Sequence, residues 1–366
     1  MARRIISLSG VGILVAALAA STADAAYAHV KWFERATEYP LRWDLFLRPL
    51  PLAFVAAVGL ATLLAGLLWR RRGRGFVPGP EAFGAGDEGR SALYALIPAI
   101  LGVHVAVPLL FNGVQGNLFS PDNAMPAPWS NFLGLFETGV ALSLFYGGFA
   151  RVASVGLVAL WLAGIPLLGL QPMLDNVLYL GFAAFFFLAG RGPYAVDRAL
   201  FPRLEPSAKF AIYAVPALRV GLGLSFVFVA FTEKFANLPL ARTFLERYPL
   251  NFTGALGIPL PDEVFILCAG SVELLVGLFL AFGIFPRETV LIALVPVNLT
   301  LTVFNYTELV GHLPIYGVLA VLLVWEPGPK NLALWLRGLR RDGPRPSPAA
   351  QGAGAPSSPR VGQPEG

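Results

Sequence analysis

The sequence predicts an all-α integral membrane protein with two tandem, parallel four-helix transmembrane units, preceded by a signal segment and one extra transmembrane helix. Three observations support this fold class. Of the 366 residues, 56% are hydrophobic and only 13% are charged, whereas a soluble domain carries roughly 25% charged residues. The apolar residues form a succession of runs long enough to cross a bilayer. Residues in the second half also repeat residues in the first half at a fixed spacing.

Residues 1–28 have the pattern of a secretory signal peptide or signal anchor. Two arginines precede an apolar run that ends at Ala20, and small residues come after this run. Cleavage after Ala28 would leave His29 as the mature amino terminus, and without cleavage the run would still export the next part of the chain. In both cases we expect residues 29–49 to form an extracytoplasmic interfacial segment.

Nine apolar runs approach the roughly 17–25 residues that a transmembrane helix needs. They lie at 50–69, 91–111, 130–149, 152–170, 174–190, 211–231, 263–284, 288–305 and 311–326. The first run is the extra transmembrane helix. The next eight form two sets of four, which define a first unit over residues 91–200 and a second unit over residues 211–338.

The distribution of positive charge orients these helices. The loops 112–129, 171–173 and 306–310 contain no lysine or arginine, whereas the loops on the other side are rich in arginine. Because positive charge is retained on the cytoplasmic side, the three loops are predicted to face outward. The tail 342–366, rich in Pro, Gly, Ser and Ala, is then cytoplasmic and disordered. The outward segment 232–262 mixes charged with apolar residues, so we expect it to lie on the outer membrane face.

A repeat with a spacing of 136 residues connects the two units. It pairs Glu137 with Glu273, Gly147 with Gly283, Arg151 with Arg287, Gly181 with Gly317, and Gly192-Pro193 with Gly328-Pro329. Matches at one fixed offset indicate a duplicated unit. Since each unit has an even number of spans, both copies have the same orientation.

Glu137 and Glu273 are the candidate catalytic carboxylates. A charged side chain at the bilayer centre costs ~2.5–3.5 kcal/mol or more, so such residues tend to be functional. A rise of ~1.5 Å per residue puts Glu137 about 10 Å and Glu273 about 15 Å from the outer ends of their helices. Either carboxylate could take up and release a proton. The alternative is that each one bonds to a neighbouring helix and fixes the bundle geometry, an interpretation that suits Glu137 better.

Four further side chains are candidates for the same site. His312, also a catalytic candidate, and Tyr316, a candidate for substrate binding, are expected near the outer entrance to Glu273, although a histidine at a helix end is often only a polar surface residue. Glu233 and Lys234 are the other substrate-binding candidates. Lys234 either binds an anionic substrate or forms an exposed ion pair with Glu233, which would contribute only ~0–1 kcal/mol.

Several other functions are disfavoured. The single cysteine, Cys268, excludes an intrachain disulfide and argues against a thiolate metal site, so no metal is expected. His104 and His312 could ligate haem from separate helices, but nothing around them supports this. A mature amino-terminal His29 could bind Cu(II), whereas the nearby residues from Lys31 to Phe33 favour an interfacial anchor. The net charge of +5 lies mostly in short loops and the tail, so no nucleic-acid partner is expected. The chain has no P-loop, dinucleotide fingerprint, HExxH or CxxC.

A set of short motifs in the second unit carries a resemblance to a known family. They are Arg219-Val-Gly221-Leu-Gly223, Glu233-Lys234-Phe235, Glu273-Leu-Leu-Val-Gly277 with Gly283 and Arg287, and Gly311-His312 with Tyr316. In these residues the unit resembles the DoxX family of bacterial four-helix membrane proteins and, through it, the DoxD-type subunit of thiosulfate:quinone oxidoreductase. The first unit has Val114-Gln115 in place of the Glu-Lys pair and Asn176 in place of His312.

The resemblance implies a multi-pass protein of the bacterial inner membrane with a quinone-linked or redox-stress-linked role. Quinone is then the candidate cofactor, and the partners are the lipid bilayer and a redox protein in the membrane or periplasm. Two other classes stay open. In a small-solute transporter or permeability factor, the same polar groups would line a path between the repeats. In a structural partner of another protein, residues 232–262 would form the docking surface.

Overall fold

The computed structural model describes residues 30–34, 38–201, 208–301 and 306–340. The predicted signal segment with His29 and the predicted tail lie outside these residues. Within the described part, the chain is helical, and its only β-structure is one isolated bridge between Asn117 and Ala124.

Eleven longer helices build the described part. They are α1 (Pro49–Arg72), α2 (Asp87–Gln115), α3 (Trp129–Tyr146), α4 (Ala150–Leu168), α5 (Leu178–Ala189), α6 (Ala214–Val229, continued by a π-helical turn, Ala230–Phe235), α7 (Leu238–Arg247), α8 (Asp262–Phe282), α9 (Pro286–Thr300), α10 (Tyr306–Val324) and α11 (Pro329–Arg340). Short helices cover Val30–Trp32, Trp43–Phe46, Pro80–Phe83, Leu170–Asp175, Val196–Leu200, Ala208–Ala211 and Phe252–Gly254.

Six of these helices are long and apolar enough to cross a membrane: α1, α2, α4, α6 with its π-helical turn, α8 and α10. The protein is therefore a multi-pass membrane protein. The other three predicted spans fall on α3, α5 and α9, which have 18, 12 and 15 residues. Below, the upper end of the bundle is the end where α2 finishes and α3 begins, and the lower end is the opposite one.

Two helix junctions at the lower end have the same backbone geometry. Gly147 ends α3 with a φ of 73°, and Gly283 ends α8 with a φ of 69°. Two residues later, Phe149 and Phe285 adopt φ values of 55° and 43° before α4 and α9 begin. A left-handed conformation of this kind costs a residue with a side chain ~1–3 kcal/mol. Both junctions are thus strained in the same way, 136 residues apart.

An arginine caps the last carbonyl groups of α3 and of α8. Arg191 donates from Nε to Leu144 O at 2.7 Å and from Nη2 to Phe145 O at 2.9 Å. Arg219 donates from Nη1 to the carbonyl of Leu280 and, at 3.1 Å, to that of the next residue. The capped carbonyls are again 136 residues apart, but the arginines are not, because Arg191 follows α5 and Arg219 belongs to α6.

At the centre of the bundle, helices of one set pack against helices of the other. α2 packs against α3 and α10, while α6 packs against α5 and α8. The contact between α5 and α6 is close because glycines meet there: a Cβ built on Gly221 would lie 2.8 Å from Gly181 Cα. Buried aromatic side chains, among them Phe182, Phe185 and Trp335, fill the space between the sets.

The segment 232–262 differs from the expectation of a layer on the outer membrane face. The apolar side of α7, which includes Leu240 and Phe244, is buried against α8 and the π-helical turn. Its charged residues are left on the exposed side, Arg242 among them. An amphipathic helix buries its apolar face against whatever apolar surface is nearest, and here that surface is protein.

Candidate functional site

The π-helical turn at the upper end of α6 carries three consecutive buried polar residues. Thr232, Glu233 and Lys234 have 7%, 1% and 4% of their surface exposed. Consecutive side chains on a helix point about 100° apart, so all three can be buried only where protein covers the turn on several sides. α7 and α8 both contact this turn, and residues 30–34 cover it as well. π-helical turns inside α-helices occur frequently at functional sites.

Lys234 lies between two buried carboxylates. Its Nζ is 3.2 Å from Glu233 Oε2 and 2.9 Å from Glu273 Oε1, which is supplied by α8. The backbone N–H of Val30 also donates to Glu233 Oε2, at 3.1 Å. The expectation of an exposed Glu233–Lys234 pair is therefore wrong, because α8 and the amino-terminal segment cover it.

The amino-terminal segment brings a second ammonium group to the site. Lys31 Nζ donates to Asp175 Oδ2 and, at 2.8 Å, to Thr232 Oγ1, which in turn donates to Asp175 Oδ1 at 2.9 Å. These bonds connect the short helix after α4 with the end of α6. Lys31 is 7% exposed, so it is not the membrane-surface anchor that the sequence suggests.

His312 is buried under the next residue of the same segment. Its ring lies 5.5 Å from that of Trp32, and its Nε2 is 3.5 Å from Oε1 of Glu308, one turn earlier on α10. Trp32 approaches closely because position 311 is glycine, where a Cβ would overlap the indole. Tyr316 lies one turn further along α10, and its hydroxyl donates to the Val297 carbonyl at 3.3 Å. His312 is thus a buried residue and not an exposed helix-end residue.

Glu273 and His312 border the same small cavity, of about 20 Å³. The remaining lining is apolar and consists of Phe226, Val272, Val276, Ala293, Pro296 and Val297. A cavity needs roughly 10–15 Å³ by this measure to hold one water molecule. The space therefore fits a single water between a carboxylate and an imidazole.

Glu137 has a different environment in the first set of helices. It is fully buried, and its Oε1 accepts a hydrogen bond from the Phe119 backbone N–H at 3.0 Å. Its Oε2 has no hydrogen-bond partner among the described residues, and none of their ammonium or guanidinium groups pairs with it. The Phe119 carbonyl accepts a bond from the Tyr179 hydroxyl at 3.0 Å. Glu137 is therefore held by a backbone loop, whereas Glu273 is held by a cation.

Larger side chains occupy the positions in the first set that correspond to the lining of the cavity next to Glu273. At an offset of 136 residues, Trp161 occupies the position of Val297. The Trp161 indole is buried, and its N–H donates to the Met173 carbonyl at 2.7 Å. The residues at the positions of Ala293 and Pro296 are two buried leucines, at 157 and 160. Larger side chains thus fill the space that is open in the second set.

A second cavity, of about 60 Å³, lies between the two sets at the upper end. Lys31, Asp175 and Glu233 line it together with Ser225 and Tyr179. It connects polar groups of both sets, which the sequence does not place together.

The described part of the site carries more carboxylates than ammonium groups. Two ammonium groups, of Lys31 and Lys234, face four carboxylates, of Asp175, Glu233, Glu273 and Glu308. A buried net charge is costly, so the cluster has to be neutralised by bound protons or by further cations. Among the described residues no group of three or more His, Cys, Asp or Glu side chains is arranged to hold a metal ion.

Sequence reasoning anticipated some members of this cluster and missed others. Glu273, His312, Glu233 and Lys234 were candidates, and all four lie at this site. The spacing of Glu308 to His312 is that of neighbours on a helix face, so this pair was readable from the sequence. Lys31 and Asp175 are 144 residues apart, and no local signal connects them.

Comparisons with models of protein families, with curated proteins and with solved structures give no match to this chain. The fold and the site geometry are therefore the basis for a functional proposal, and the resemblance to the DoxX family stays a prediction.

Proposed function

We propose that this chain is a DoxX-like protein of the bacterial inner membrane that handles protons for a quinone-linked redox system, as a subunit or an accessory protein. The first unit consists of α2 to α5, and the second of α6, α8, α9 and α10. Both units have the same orientation. The loop charges support an upper end that faces away from the cytoplasm and a cytoplasmic tail.

Backbone geometry supports the tandem duplication. Helix-ending glycines, left-handed phenylalanines and arginine-capped carbonyls all recur at an offset of 136 residues. Unrelated pairs of helices have no reason to share three such features at one spacing. The two copies differ in their interiors, because residues that line the cavity next to Glu273 in the second copy correspond to larger side chains in the first.

The observation that carries the proposal is the cavity shared by Glu273 and His312. Lys234 holds the ionised Glu273 carboxylate at 2.9 Å. When Glu273 accepts a proton, this attraction is lost and Lys234 remains paired with Glu233. A water molecule in the cavity then connects Glu273 with the His312 imidazole, whose ring nitrogens can accept and donate a proton. These residues form a path for a proton within the upper half of the second unit.

A quinone ring does not fit in this cavity. About 20 Å³ holds one water molecule, and a six-membered ring with two oxygen atoms is several times larger. In this proposal the oxidation and reduction steps take place outside this cavity, with a partner in the membrane or periplasm. The residues of this chain bind and move the proton.

Quinol oxidation in membrane vesicles tests the proposal. Rates are compared between vesicles with the wild-type protein, with the Glu273→Gln variant, and without the protein. Glutamine keeps the size of the side chain and cannot exchange the proton, so we expect the protein-dependent rate to fall about 100-fold, as is typical when a general acid or base is removed. Equal rates with Glu273→Gln and with the wild type would contradict the proposal.

The matched control is Glu137→Gln. Its Oε1 accepts only the Phe119 N–H, a bond that the glutamine carbonyl can also accept. We expect the rate of this variant to stay within about twofold of the wild type, because it removes no acid or base of the proposed path. Thermal unfolding of both variants in detergent shows whether either change acts through stability instead.

The cavity of about 60 Å³ between the two units favours a second candidate, a proton-coupled or small-solute transporter. Transporters with parallel repeats bind substrates at the interface between the repeats, where Lys31, Asp175 and Glu233 lie. Proteoliposomes with an entrapped pH indicator distinguish the candidates. A proton or solute flux that requires Glu273 and occurs without redox reagents would favour the transporter. The absence of any flux would favour the redox-linked role.

A further inference from the structure

A larger cavity, of about 250 Å³, lies at the lower end of the first unit, around the first turn of α4. This is the end that the loop charges predict to face the cytoplasm. Its lining combines three guanidinium groups with apolar side chains and glycines. The residues are Phe149, Ala150, Arg151, Val152, Ala189, Gly190, Arg191, Gly192, Ala195, Asp197, Arg198, Phe201 and Leu339.

Arg191 lines this cavity and carries a buried N–H group with no hydrogen-bond partner among the described residues. The residue is 5% exposed. Its Nε and Nη2 donate to carbonyl groups at the end of α3, but Nη1 has no hydrogen-bond partner among the described residues. A charged donor that is buried without an acceptor is costly. A ligand that accepts a hydrogen bond from Nη1 would therefore stabilise the site.

The first turn of α4 adds to the attraction for an anion. The Asp197 carboxylate accepts hydrogen bonds from the N–H groups of Phe149 and Ala150, at 2.6 and 2.9 Å. The N–H groups of Arg151 and Val152 also belong to the first turn, where the helix itself supplies no acceptor. The helix dipole favours negative charge at this position. Asp197 is the only carboxylate among the described lining residues.

Several apolar side chains of the lining are exposed. Phe149, Val152 and Phe201 are 65%, 69% and 43% exposed, and in a membrane protein such surfaces contact acyl chains. The cavity thus joins buried positive charge to a lipid-facing apolar rim. Basic pockets between transmembrane helices on the cytoplasmic side are typical sites for anionic headgroups.

We propose that this cavity binds a phosphate group, and that its source is the headgroup of an anionic phospholipid. A phosphate oxygen accepts a hydrogen bond from Nη1 of Arg191, since guanidinium groups match phosphate in geometry and charge. The acyl chains extend out of the cavity along the side chains of Phe149 and Phe201. A soluble phosphate would satisfy the same donors but would not use the apolar rim.

The test uses the purified full-length protein in nanodiscs of phosphatidylcholine, with or without phosphatidylglycerol. Native mass spectrometry counts the lipid retained, and thermal unfolding measures its effect. We expect the wild-type protein to retain one phosphatidylglycerol molecule and to melt at a higher temperature when it is present. Loss of one charge-assisted contact in Arg191→Gln should weaken retention about 10- to 100-fold.

Arg219→Gln is the matched control. It removes the equivalent cap from α8, but Arg219 does not line the cavity. This variant should lose a similar amount of stability and keep the full response to phosphatidylglycerol. If Arg191→Gln fails to fold, Arg198→Gln takes its place, because that guanidinium lies in the lining and its bond to the Arg340 carbonyl is exposed.

Inorganic phosphate added to phosphatidylcholine nanodiscs distinguishes the two sources. If inorganic phosphate stabilises the wild-type protein but not Arg191→Gln, the cavity binds phosphate. If phosphatidylglycerol has no effect in the same experiment, the assignment of this phosphate to a lipid headgroup is wrong. A response to neither, or equal retention of phosphatidylglycerol by Arg191→Gln and the wild type, would overturn the proposal.

Discussion

Replacing Lys234 by methionine is the most direct test of the buried charge cluster. The substitution keeps the length and the apolar stem of the side chain and removes its charge. It leaves Glu273 and Glu233 without the ammonium group that lies 2.9 and 3.2 Å from them. Glu233 keeps the hydrogen bond from the Val30 N–H, so Glu273 is expected to be affected more.

The structure allows a rough magnitude. At these distances and an effective dielectric constant of about 20, each pair attracts by roughly 5–6 kcal/mol before the cost of dehydrating the charges is subtracted. Experience with buried ion pairs is that removing one partner destabilises a protein by ~3–5 kcal/mol, because a charge is left uncompensated. We therefore expect Lys234→Met to lower the free energy of unfolding by ~3–5 kcal/mol at neutral pH.

Unfolding in detergent micelles, followed by tryptophan fluorescence, measures this change. Arg242→Met is the control, since Arg242 pairs with Glu263 at 3.3 Å while 53% exposed, and such pairs contribute only ~0–1 kcal/mol. Adding Glu273→Gln to Lys234→Met should restore part of the lost free energy of unfolding, because it removes the carboxylate charge that no longer has its ammonium partner. If Lys234→Met costs no more than Arg242→Met, the buried cluster does not stabilise the fold.

The two ends of the bundle each give a further prediction. Trp32→Ala should expose His312 to reagents. We expect diethylpyrocarbonate to modify this histidine faster than in the wild type, as measured by mass spectrometry. Equal rates of modification would mean that the indole does not shield His312. At the lower end, burial and a hydrogen bond to Glu81 raise the pKa of Glu326. The folded state then holds this proton more firmly than the unfolded chain, so the stabilising contribution is complete below the ordinary glutamate pKa and is lost as the pH rises through the raised value. Glu326→Gln should remove this decline from the pH dependence of the melting temperature, and an unchanged profile would refute the assignment.

Properties that are local in the chain were predictable. A transmembrane helix needs only a long apolar run, so the predicted spans coincide with helices, for example 50–69 with α1 and 91–111 with α2. The fixed offset of 136 residues was visible in Gly147 and Gly283, and the structure shows a left-handed conformation at both.

Properties that depend on distant parts of the chain were not predictable. The Glu233–Lys234 pair is buried because Val30 and its neighbours, about 200 residues earlier, cover it. The apolar face of α7 gives the same periodic pattern whether lipid or protein covers it. The bond from Lys31 to Asp175 joins an amino-terminal segment to the end of the first unit, and neither residue has a neighbour in sequence that predicts the other.

The different surroundings of Glu137 and Glu273 explain why one carboxylate is the better candidate for function. Glu137 accepts a hydrogen bond from the Phe119 backbone N–H, and its other carboxylate oxygen has no hydrogen-bond partner among the described residues. Glu273 is paired with the Lys234 ammonium group and borders a cavity that His312 also lines. Substituting Trp161 by a smaller residue would open space in the first unit but would supply neither a cation nor an imidazole. Both sets of helices therefore bury a carboxylate, and the cation and the imidazole near Glu273 make that residue the candidate for the proposed proton exchange.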